Sequence, residues 1–193
     1  LLSAIGEKNP KLALKVNSQG VQNALEIARE VKCRIFIPST IAVFGPDTPK
    51  DNTPNSTILN PTTMYGVTKV FLEQLGTYYY NKFGVDFRSI RYPGVISNFS
   101  LPGGGTTDYA IDIYYHALQG KPYECFLRED TALPFLYMIA VLKATMDLVL
   151  APNSSLSTRV YNIGGFTSTP KDFEVSICKY MPDFKVTYVP DER

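Results

Sequence analysis

Two side chains of complementary chemistry, Tyr65 and Lys69, stand four positions apart in the segment Tyr-Gly-Val-Thr-Lys. Residues i and i+4 of an α-helix share one face, so the lysine ammonium can lie beside the phenol. A neighbouring positive charge favours tyrosinate and lowers the tyrosine pKa, which allows general acid or base chemistry near neutral pH. Ordinary helices also place Tyr and Lys at this spacing by chance, so the pair alone leaves both interpretations open.

The chain ahead of this pair supplies hydroxyl groups at the end of a predicted strand. Residues 32–38 read as a short buried strand that runs into Ser39 and Thr40, and Thr40 lies 25 positions before Tyr65. In open α/β sheets the ligand crevice lies outside the carboxyl ends of the strands. A strand-end hydroxyl, a loop and a helix with Tyr and Lys therefore predict a catalytic arrangement.

Hydrophobic periodicity predicts the elements around this arrangement. Asn17 falls within the apolar stripe of the first helix, which predicts either a buried hydrogen-bonding role or a tolerated polar position. Gly84 is a predicted helix stop, and 46–61, rich in Pro, Asn and Thr, is a predicted loop. Helices are predicted over 11–31, from Thr62 or Thr63 to about Phe83, over 106–118, over 139–150 and from Thr169-Pro170 onward; further strands are predicted over 85–91, 160–163 and 184–188.

Composition narrows the function classes. The chain has 193 residues, of which 45% are hydrophobic and 19% charged, as in an ordinary globular protein. A formal net charge of +1 argues against binding nucleic acid or an anionic membrane through bulk electrostatics. No apolar run reaches the ~18 residues of a membrane span, and the first residues lack the pattern of a secretory signal. We therefore expect no nucleic-acid partner and no membrane.

Cysteine and histidine usage argues against a metal site. Cys33, Cys125 and Cys178 show no Cys-x-x-Cys spacing, which indicates reduced thiols in an intracellular setting. His116 is the single histidine and lies in mid-helix among apolar residues, so a structural or surface role is expected. Zinc-ligand spacing is missing, and no metal is expected.

A wider set of motifs shares a family pattern. The chain resembles the extended short-chain dehydrogenase/reductase family, which includes nucleotide-sugar epimerases, and within that family the short-chain L-threonine 3-dehydrogenases. The residues that carry the resemblance are Leu2-Ser-Ala4, Pro38-Ser-Thr-Ile41, Phe44-Gly-Pro46, Tyr65-Gly-Val-Thr-Lys69, Arg91-Tyr-Pro-Gly-Val-Ile-Ser97 and Gly103-Gly-Gly-Thr-Thr-Asp-Tyr-Ala110. One departure from the family pattern is Ile139-Ala140, where relatives usually have Pro-Asp.

The resemblance implies an α/β fold: a Rossmann-type doubly wound parallel sheet, incomplete at the N-terminus, with a smaller C-terminal substrate-binding lobe. Residues 1–97 would be the C-terminal part of the dinucleotide-binding domain, and 98–193 mainly the substrate-binding lobe, with a helix and strand around 139–163 returning to the Rossmann sheet. The chain has no Gly-x-Gly-x-x-Gly between a strand and a helix, so the resemblance begins in mid-domain. The chain is therefore expected to lack the first two βα units of the fold, which would carry this glycine fingerprint.

The resemblance also implies NAD-dependent oxidation of the 3-hydroxyl of L-threonine to 2-amino-3-oxobutyrate. The glycines before the helix at Thr106 would leave free backbone N–H groups, which suit the carboxylate of an amino-acid substrate. The implied residues are Tyr65, Lys69 and Thr40 for catalysis; Ser3, Ser39, Thr40, Tyr65, Gly105, Thr106 and Thr107 for substrate; and Tyr65, Lys69, Tyr92, Pro93 and Ile96 for NAD.

Two other functions stay open. One is a nucleotide-sugar epimerase or dehydratase with the same catalytic pair, and the other is a non-catalytic Rossmann-like binding protein. Both long helices carry more apolar surface than one sheet face covers, which predicts a homodimer with Phe71, Leu75 or Tyr79 at its interface. The expected compartment is the mitochondrial matrix in a eukaryote and the cytoplasm in a prokaryote.

Overall fold

The computed structural model of the protein describes residues 3–99, 101–103 and 105–191, without the side chains of residues 3–5. The helices are α1 (Ser3–Lys8), α2 (Pro10–Glu30), α3 (Met64–Phe83), α4 (Tyr109–Leu118), α5 (Met138–Leu150) and α6 (Pro170–Cys178). The strands are β1 (Ile35–Phe36), β2 (Ser39–Thr40), β3 (Phe87–Tyr92), β4 (Gly94–Ile96), β5 (Tyr123–Cys125), β6 (Leu133–Tyr137), β7 (Val160–Asn162), β8 (Phe166–Ser168) and β9 (Val186–Tyr188).

The chain divides into two compact units. The first comprises the residues up to Tyr92 together with Leu142–Ile163, and the second comprises Pro93–Val141 and the residues from Gly164 onward. None of the helices in the described part of the chain is long and apolar enough to cross a membrane.

A parallel sheet centred on β3 organises the first unit. β1, β2 and β7 all pair with β3 in parallel, and β2 aligns Ser39 with Arg91 and Thr40 with Tyr92. Five of the six β3 residues are buried, as expected for a central parallel strand that is covered on both faces. This architecture confirms the predicted α/β class.

The strand predicted over 32–38 is shorter and less buried than expected. Lys32 has a positive φ of 53°, and the Cys33 N–H donates to Ala28, so the first residues of this segment close the end of α2. β1 holds only two half-buried residues, Ile35 and Phe36. Pro38 then interrupts the pairing, because it has no N–H to donate.

Local capping chemistry sets the ends of the long helices. The Thr63 hydroxyl accepts a hydrogen bond from the Gly66 N–H at the start of α3, and Gly84 ends α3 with a φ of 71°. Asn9 caps α2 in the same manner, with Pro10 at the first helical position. The predicted boundaries of α3 are therefore confirmed, and those of α2 are confirmed to within one residue.

The core of the first unit lies between α2, α3 and the sheet. Tyr79, predicted at a dimer interface, is only 5% exposed and bonds through its hydroxyl to Glu26. Leu75 is partly buried against the same core cluster. The prediction for Tyr79 is wrong, because this side chain fills the space between α2 and α3 inside one protomer. The buried members of the cluster are Leu25, Ala28, Leu72, Tyr79, Val85, Phe87 and Val160.

The second unit is built around an aromatic core. Tyr109, Phe135 and Phe173 meet edge to face with ring centroids 5.3 to 5.9 Å apart. β4 pairs in parallel with β6, β6 pairs antiparallel with β8, and β5 pairs in parallel with β9. β4, β5, β6 and β8 were not predicted from the sequence; β5 and β8 are three residues each and pair with distant segments.

Helix starts in and around the second unit follow local sequence signals. Thr169 and Asp172 form a capping box that begins α6, which confirms the predicted start. The helix predicted from Thr106 begins instead as a 3-10 turn over Thr106–Asp108 and becomes α-helical at Tyr109. α5 begins at Met138, one residue before the predicted start, and has no acidic residue in its first turn.

Close packing between α3 and β3 has a testable consequence at Gly76. A Cβ on Gly76 would lie 2.4 Å from the Phe87 ring, so Gly76→Ala should lower the free energy of unfolding by about 1–3 kcal/mol. Gly20→Ala in α2 is the matched control: its methyl group meets nothing within 4 Å, and it should stabilise by about 0.5–1 kcal/mol. Denaturant unfolding measures both values, and equal shifts would contradict this packing.

Candidate functional site

The first turn of α3 brings Tyr65 to the end of β2. Gly66 permits the approach, because a Cβ at this position would lie 2.2 Å from the carbonyl oxygen of Ala42. The half-buried Tyr65 phenol is in hydrogen-bonding contact with the Thr40 side chain. The structure therefore brings together two of the three predicted catalytic side chains.

Lys69 completes the group one helical turn further along α3. Its Nζ lies 5.5 Å from the centroid of the Tyr65 ring and donates to the carbonyl oxygen of Pro38 at 2.7 Å. Burial lowers the pKa of Lys69, and the nearby Glu73 carboxylate opposes that shift. Tyr65, Lys69 and Glu73 thus occupy positions i, i+4 and i+8 on one face of α3.

The pKa of Tyr65 differs in direction from the sequence-based expectation. Burial of the phenol raises its pKa above the ordinary value, and the hydrogen bond with Thr40 opposes the rise without cancelling it. Lys69 was expected to lower this pKa. In the structure its ammonium lies 5.5 Å from the centre of the ring, and burial of the phenol is the largest influence on the Tyr65 pKa.

A buried ion pair lies beneath this group. Glu73 is 2% exposed and Arg91 4% exposed, and the guanidinium donates to both carboxylate oxygens at 2.9 and 2.7 Å. Ser39 also donates its hydroxyl proton to Glu73, at 2.5 Å. The resemblance implies that Ser39 binds substrate; in the structure its hydroxyl is buried and committed to Glu73.

The sequence analysis gave Glu73 and Arg91 no role. Two signals could have identified them. Arg91 is a charged residue at the end of a strand that the pattern predicts to be buried, and Glu73 continues the face that holds Tyr65 and Lys69. A buried strand that carries an arginine requires an acidic partner nearby.

Asn17 supports the site from behind. Its amide donates to the Thr68 hydroxyl at 3.0 Å, and that hydroxyl donates to the backbone carbonyl of Tyr65 at 2.8 Å. A side chain on α2 is thereby connected to the peptide group of the predicted base. Of the two interpretations left open by the sequence, the hydrogen-bonding role is confirmed.

The residues predicted to bind cofactor differ in their surroundings. The Tyr92 hydroxyl bonds to the Thr145 hydroxyl, and its ring packs 6.4 Å from that of Phe36, so its side chain has structural contacts inside the first unit. Pro93 is buried. Ile96, in the second unit, lines a groove of about 210 Å³ together with Tyr114, Leu118, Tyr137 and other residues of that unit.

The glycine-rich segment binds a carboxylate of the chain itself. Asp108 Oδ2 accepts hydrogen bonds from the backbone N–H groups of Gly103 and Gly105, at 2.6 and 2.8 Å. The N–H of Gly105, expected from the sequence to be free, is therefore occupied by Asp108 in this structure. The half-buried Thr106 and Thr107 follow in the 3-10 turn, and the side chain of Ser3, also predicted to bind substrate, lies outside the described residues.

His116 contacts Asp112 and Tyr123. Its Nδ1 lies 3.0 Å from the carbonyl oxygen of Asp112, and its ring packs 5.0 Å from that of Tyr123. These contacts match the structural role expected from the sequence. Within residues 3–99, 101–103 and 105–191, no three His, Cys, Asp or Glu side chains form a group that could hold a metal ion.

Comparison with known proteins identifies the family. A family model described as the NAD dependent epimerase/dehydratase family matches residues 4–164. The chain belongs to this family, and the resemblance to extended short-chain dehydrogenases/reductases is confirmed.

Individual relatives are closely similar over almost the whole chain. The mitochondrial L-threonine 3-dehydrogenase of Bos taurus is 48% identical over 191 residues, which are 99% of this chain and 51% of the bovine protein. The crystal structure of L-threonine dehydrogenase from Phytophthora infestans superposes with a TM-score of 0.96 at 61% identity, covering 99% of this chain and 62% of that one. The holo form of the GalE-like L-threonine dehydrogenase from Cupriavidus necator gives 0.95 at 46% identity, covering 100% of this chain and 63% of that one.

These similarities confirm the Rossmann-type fold that the sequence predicted. The chain spans about half the length of the bovine relative and less than two thirds of each of the two solved structures.

The connection between Asn17 and Thr68 can be measured by a double-mutant cycle. Asn17→Leu and Thr68→Val should show a coupling energy of about 0.5–1.5 kcal/mol in denaturant unfolding, the usual worth of one internal hydrogen bond. The exposed pair Gln19 and Asn23, bonded at 2.9 Å on the same helix, is the matched control and should couple by close to zero. Similar coupling energies in both pairs would contradict the role of Asn17 as a support of the site.

Proposed function

We propose that the protein carrying this chain oxidises the 3-hydroxyl of L-threonine with NAD and produces 2-amino-3-oxobutyrate. The observation that carries the proposal is the group formed by Tyr65, Thr40 and Lys69, in a chain 61% identical to an L-threonine dehydrogenase over 99% of its length. The hydroxyl and ammonium groups of these residues are what proton abstraction from an alcohol requires.

Tyr65 is the proposed general base. As tyrosinate it accepts the proton of the substrate hydroxyl, while Thr40 donates a hydrogen bond to the same oxygen. Burial raises the pKa of the phenol in this structure, so its ionisation depends on positive charge close to it. The ammonium of Lys69 supplies charge of the required sign over the ring.

The hydrogen-bond donors of Lys69 suit the hydroxyl groups of a nicotinamide ribose. An ammonium carries three N–H donors, and the structure shows Lys69 giving one of them to Pro38, which leaves donors for ribose hydroxyls. We propose that Tyr65, Lys69, Tyr92, Pro93 and Ile96 hold NAD, with Tyr92 acting through its backbone because its hydroxyl bonds to Thr145. NAD, when bound, supplies the carbon that accepts the hydride.

The two compact units would bind different molecules. The first, with the helix and strand within 139–163, is the C-terminal part of a dinucleotide-binding domain, and the second is mainly a substrate-binding lobe. Gly105, Thr106 and Thr107 are proposed to bind the substrate carboxylate. That carboxylate must first displace Asp108 from the N–H of Gly105.

Replacement of Tyr65 by Phe tests the proposed chemistry. Tyr65→Phe in the full-length protein should lower kcat for threonine oxidation by at least ~10²-fold while the melting temperature stays close to that of wild type, because only the titrating hydroxyl is lost. Tyr180→Phe, at a tyrosine 85% exposed, is the matched control and should keep full activity.

The assay measures NADH formation with L-threonine and, separately, turnover of UDP-sugars. Near-wild-type threonine turnover in Tyr65→Phe would exclude the proposed base. If the wild-type protein turns over a UDP-sugar but not threonine, it is a nucleotide-sugar epimerase or dehydratase. If it turns over neither, the result favours a non-catalytic Rossmann-like binding protein.

We also propose that the protein is a homodimer formed by α2 and α3. Both helices expose apolar side chains at helical spacing, which soluble monomers rarely leave uncovered. Phe71 is 39% exposed, and Tyr78, two turns further along α3, is 52% exposed. The exposed apolar residues of the two helices are Leu12, Leu14, Val16, Ile27, Val67, Phe71, Tyr78 and Phe83.

A charge in this surface should prevent association. Phe71→Glu should sediment as a monomer at micromolar concentration, where wild type sediments as a dimer, because burying an unpaired carboxylate is costly. Val175→Glu, at an exposed position of α6, is the control and should remain dimeric. A monomeric wild-type protein in the same sedimentation equilibrium experiment would refute the proposal.

The proposed compartment is intracellular. Cys33, Cys125 and Cys178 are all free thiols, which is typical of a reducing environment. The bovine relative is named as mitochondrial, which supports the mitochondrial matrix for a eukaryotic source and the cytoplasm for a prokaryotic one.

A further inference from the structure

We infer that the buried ion pair of Glu73 and Arg91 controls the charge of Lys69, so that both are positioning residues for the Tyr65–Lys69 pair. The effect that this inference predicts on turnover rests on the proposed function. The effect that it predicts on the pKa of Lys69 depends only on the side chains and can be tested without substrate.

Glu73 is ion-paired with Arg91 and lies one helical turn from a second positive group, Lys69. It lies four residues after Lys69 on the same face of α3, and Arg91 approaches its carboxylate from β3 with two hydrogen bonds of 2.9 and 2.7 Å. At 2% exposure Glu73 is screened by almost no water, so its charge acts strongly on its neighbours. Removing Glu73 or Arg91 should therefore shift the charge balance at Lys69 in opposite directions.

Arg91 is fixed in place by groups other than Glu73. Its Nη1 donates to the carbonyl oxygen of Asn55 at 2.8 Å and to Asn162 Oδ1 at 3.1 Å. The Phe44 ring lies 5.6 Å from the guanidinium carbon. This arrangement keeps the guanidinium at the carboxylate and limits its movement toward Lys69.

The groups around Lys69 come from three directions. α3 contributes the Tyr65 phenol and the Glu73 carboxylate, and β3 contributes Arg91 behind that carboxylate. The end of β2 contributes the neutral hydroxyl of Thr40, with the carbonyl of Pro38 just before that strand. Burial disfavours the ammonium and lowers the pKa of Lys69, while the negative charge of Glu73 opposes this shift and so favours the charged form of Lys69.

The ion pair also fixes the strand end that carries the catalytic hydroxyl. Ser39 donates to Glu73 at 2.5 Å and is aligned with Arg91 in the sheet, and Thr40 is the next residue along β2. Glu73 therefore connects α3 to β2 directly and to β3 through Arg91. A purely structural ion pair would share this geometry, but its loss would not move the titration of Lys69.

The experiment measures the pKa of Lys69 in the full-length protein from the pH dependence of its acetylation by acetic anhydride, followed by peptide mass spectrometry. Glu73→Gln should lower this pKa, and Arg91→Met should raise it, each by on the order of one pH unit. Arg91→Lys keeps the charge and loses the two-point contact, so its Lys69 should titrate close to wild type. The surface substitutions Asp147→Asn and Arg128→Met are the charge-matched controls and should leave Lys69 unchanged.

The direction of the shifts decides the inference. Opposite shifts in Glu73→Gln and Arg91→Met would support it, and equal or absent shifts would overturn it. If one single variant fails to melt cooperatively, the other decides: Glu73→Gln must lower the Lys69 pKa, or Arg91→Met must raise it, and no shift from wild type would overturn the inference. If both fail, the double variant decides: the two opposite effects should cancel and leave Lys69 titrating close to wild type, and a shift of about one pH unit would overturn the inference.

The same variants connect the charge of Lys69 to turnover. The alkaline limb of the pH profile of kcat should move to lower pH in Glu73→Gln and to higher pH in Arg91→Met. Each movement should match the change in the Lys69 pKa measured by acetylation. Absence of threonine turnover in wild type would refute the proposed function alone, because the labelling result still decides the inference.

Discussion

The bidentate contact between Glu73 and Arg91 is the constraint on which the first unit depends. A carboxylate and a guanidinium this deeply buried are tolerated only when each is fully partnered, and here Ser39, Asn162 and the backbone carbonyl of Asn55 complete the set of partners. Because the partners come from α3, β2, β3 and β7, the pair fixes the helix relative to three strands. Loss of one member would leave an uncompensated charge inside the unit, so the elements that carry the catalytic group are held in a single arrangement.

The proposed chemistry depends on that fixed arrangement. Tyr65 and Lys69 stand on the same helix face as Glu73, and Thr40 follows Ser39 directly, so the ion pair positions the catalytic group through covalent neighbours. Burial in this unit raises the pKa of Tyr65 and lowers that of Lys69, which moves both groups toward their neutral forms. Catalysis by tyrosinate then requires charges that reverse those shifts, and Glu73 is the anion placed to keep the ammonium protonated.

How much the sequence predicts depends on whether the signal is local. The caps Thr63 and Thr169 and the stop at Gly84 bond within a few residues, and so the helix ends they define were predicted closely. Three-residue strands such as β5 and β8 were missed because their pairing partners lie far along the chain.

In the site, too, local patterns were predicted from the sequence and contacts between distant residues were not. Tyr65, Lys69 and Thr40 were predicted as a group from spacing and resemblance. The burial of Ser39 and the contact of Asp108 with the Gly105 N–H were not predicted, since both follow from which neighbouring groups the folded chain brings within reach.

The most direct test of the central claim asks which bond of threonine the full-length protein breaks. Steady-state rates with NAD would be compared for unlabelled L-threonine and for L-threonine carrying deuterium at C3 or at C2. If hydride leaves from C3 while Tyr65 removes the hydroxyl proton, the C3 label should slow kcat/KM or kcat and the C2 label should not. Slower turnover with the C2 label alone, or no oxidation of threonine, would contradict the account.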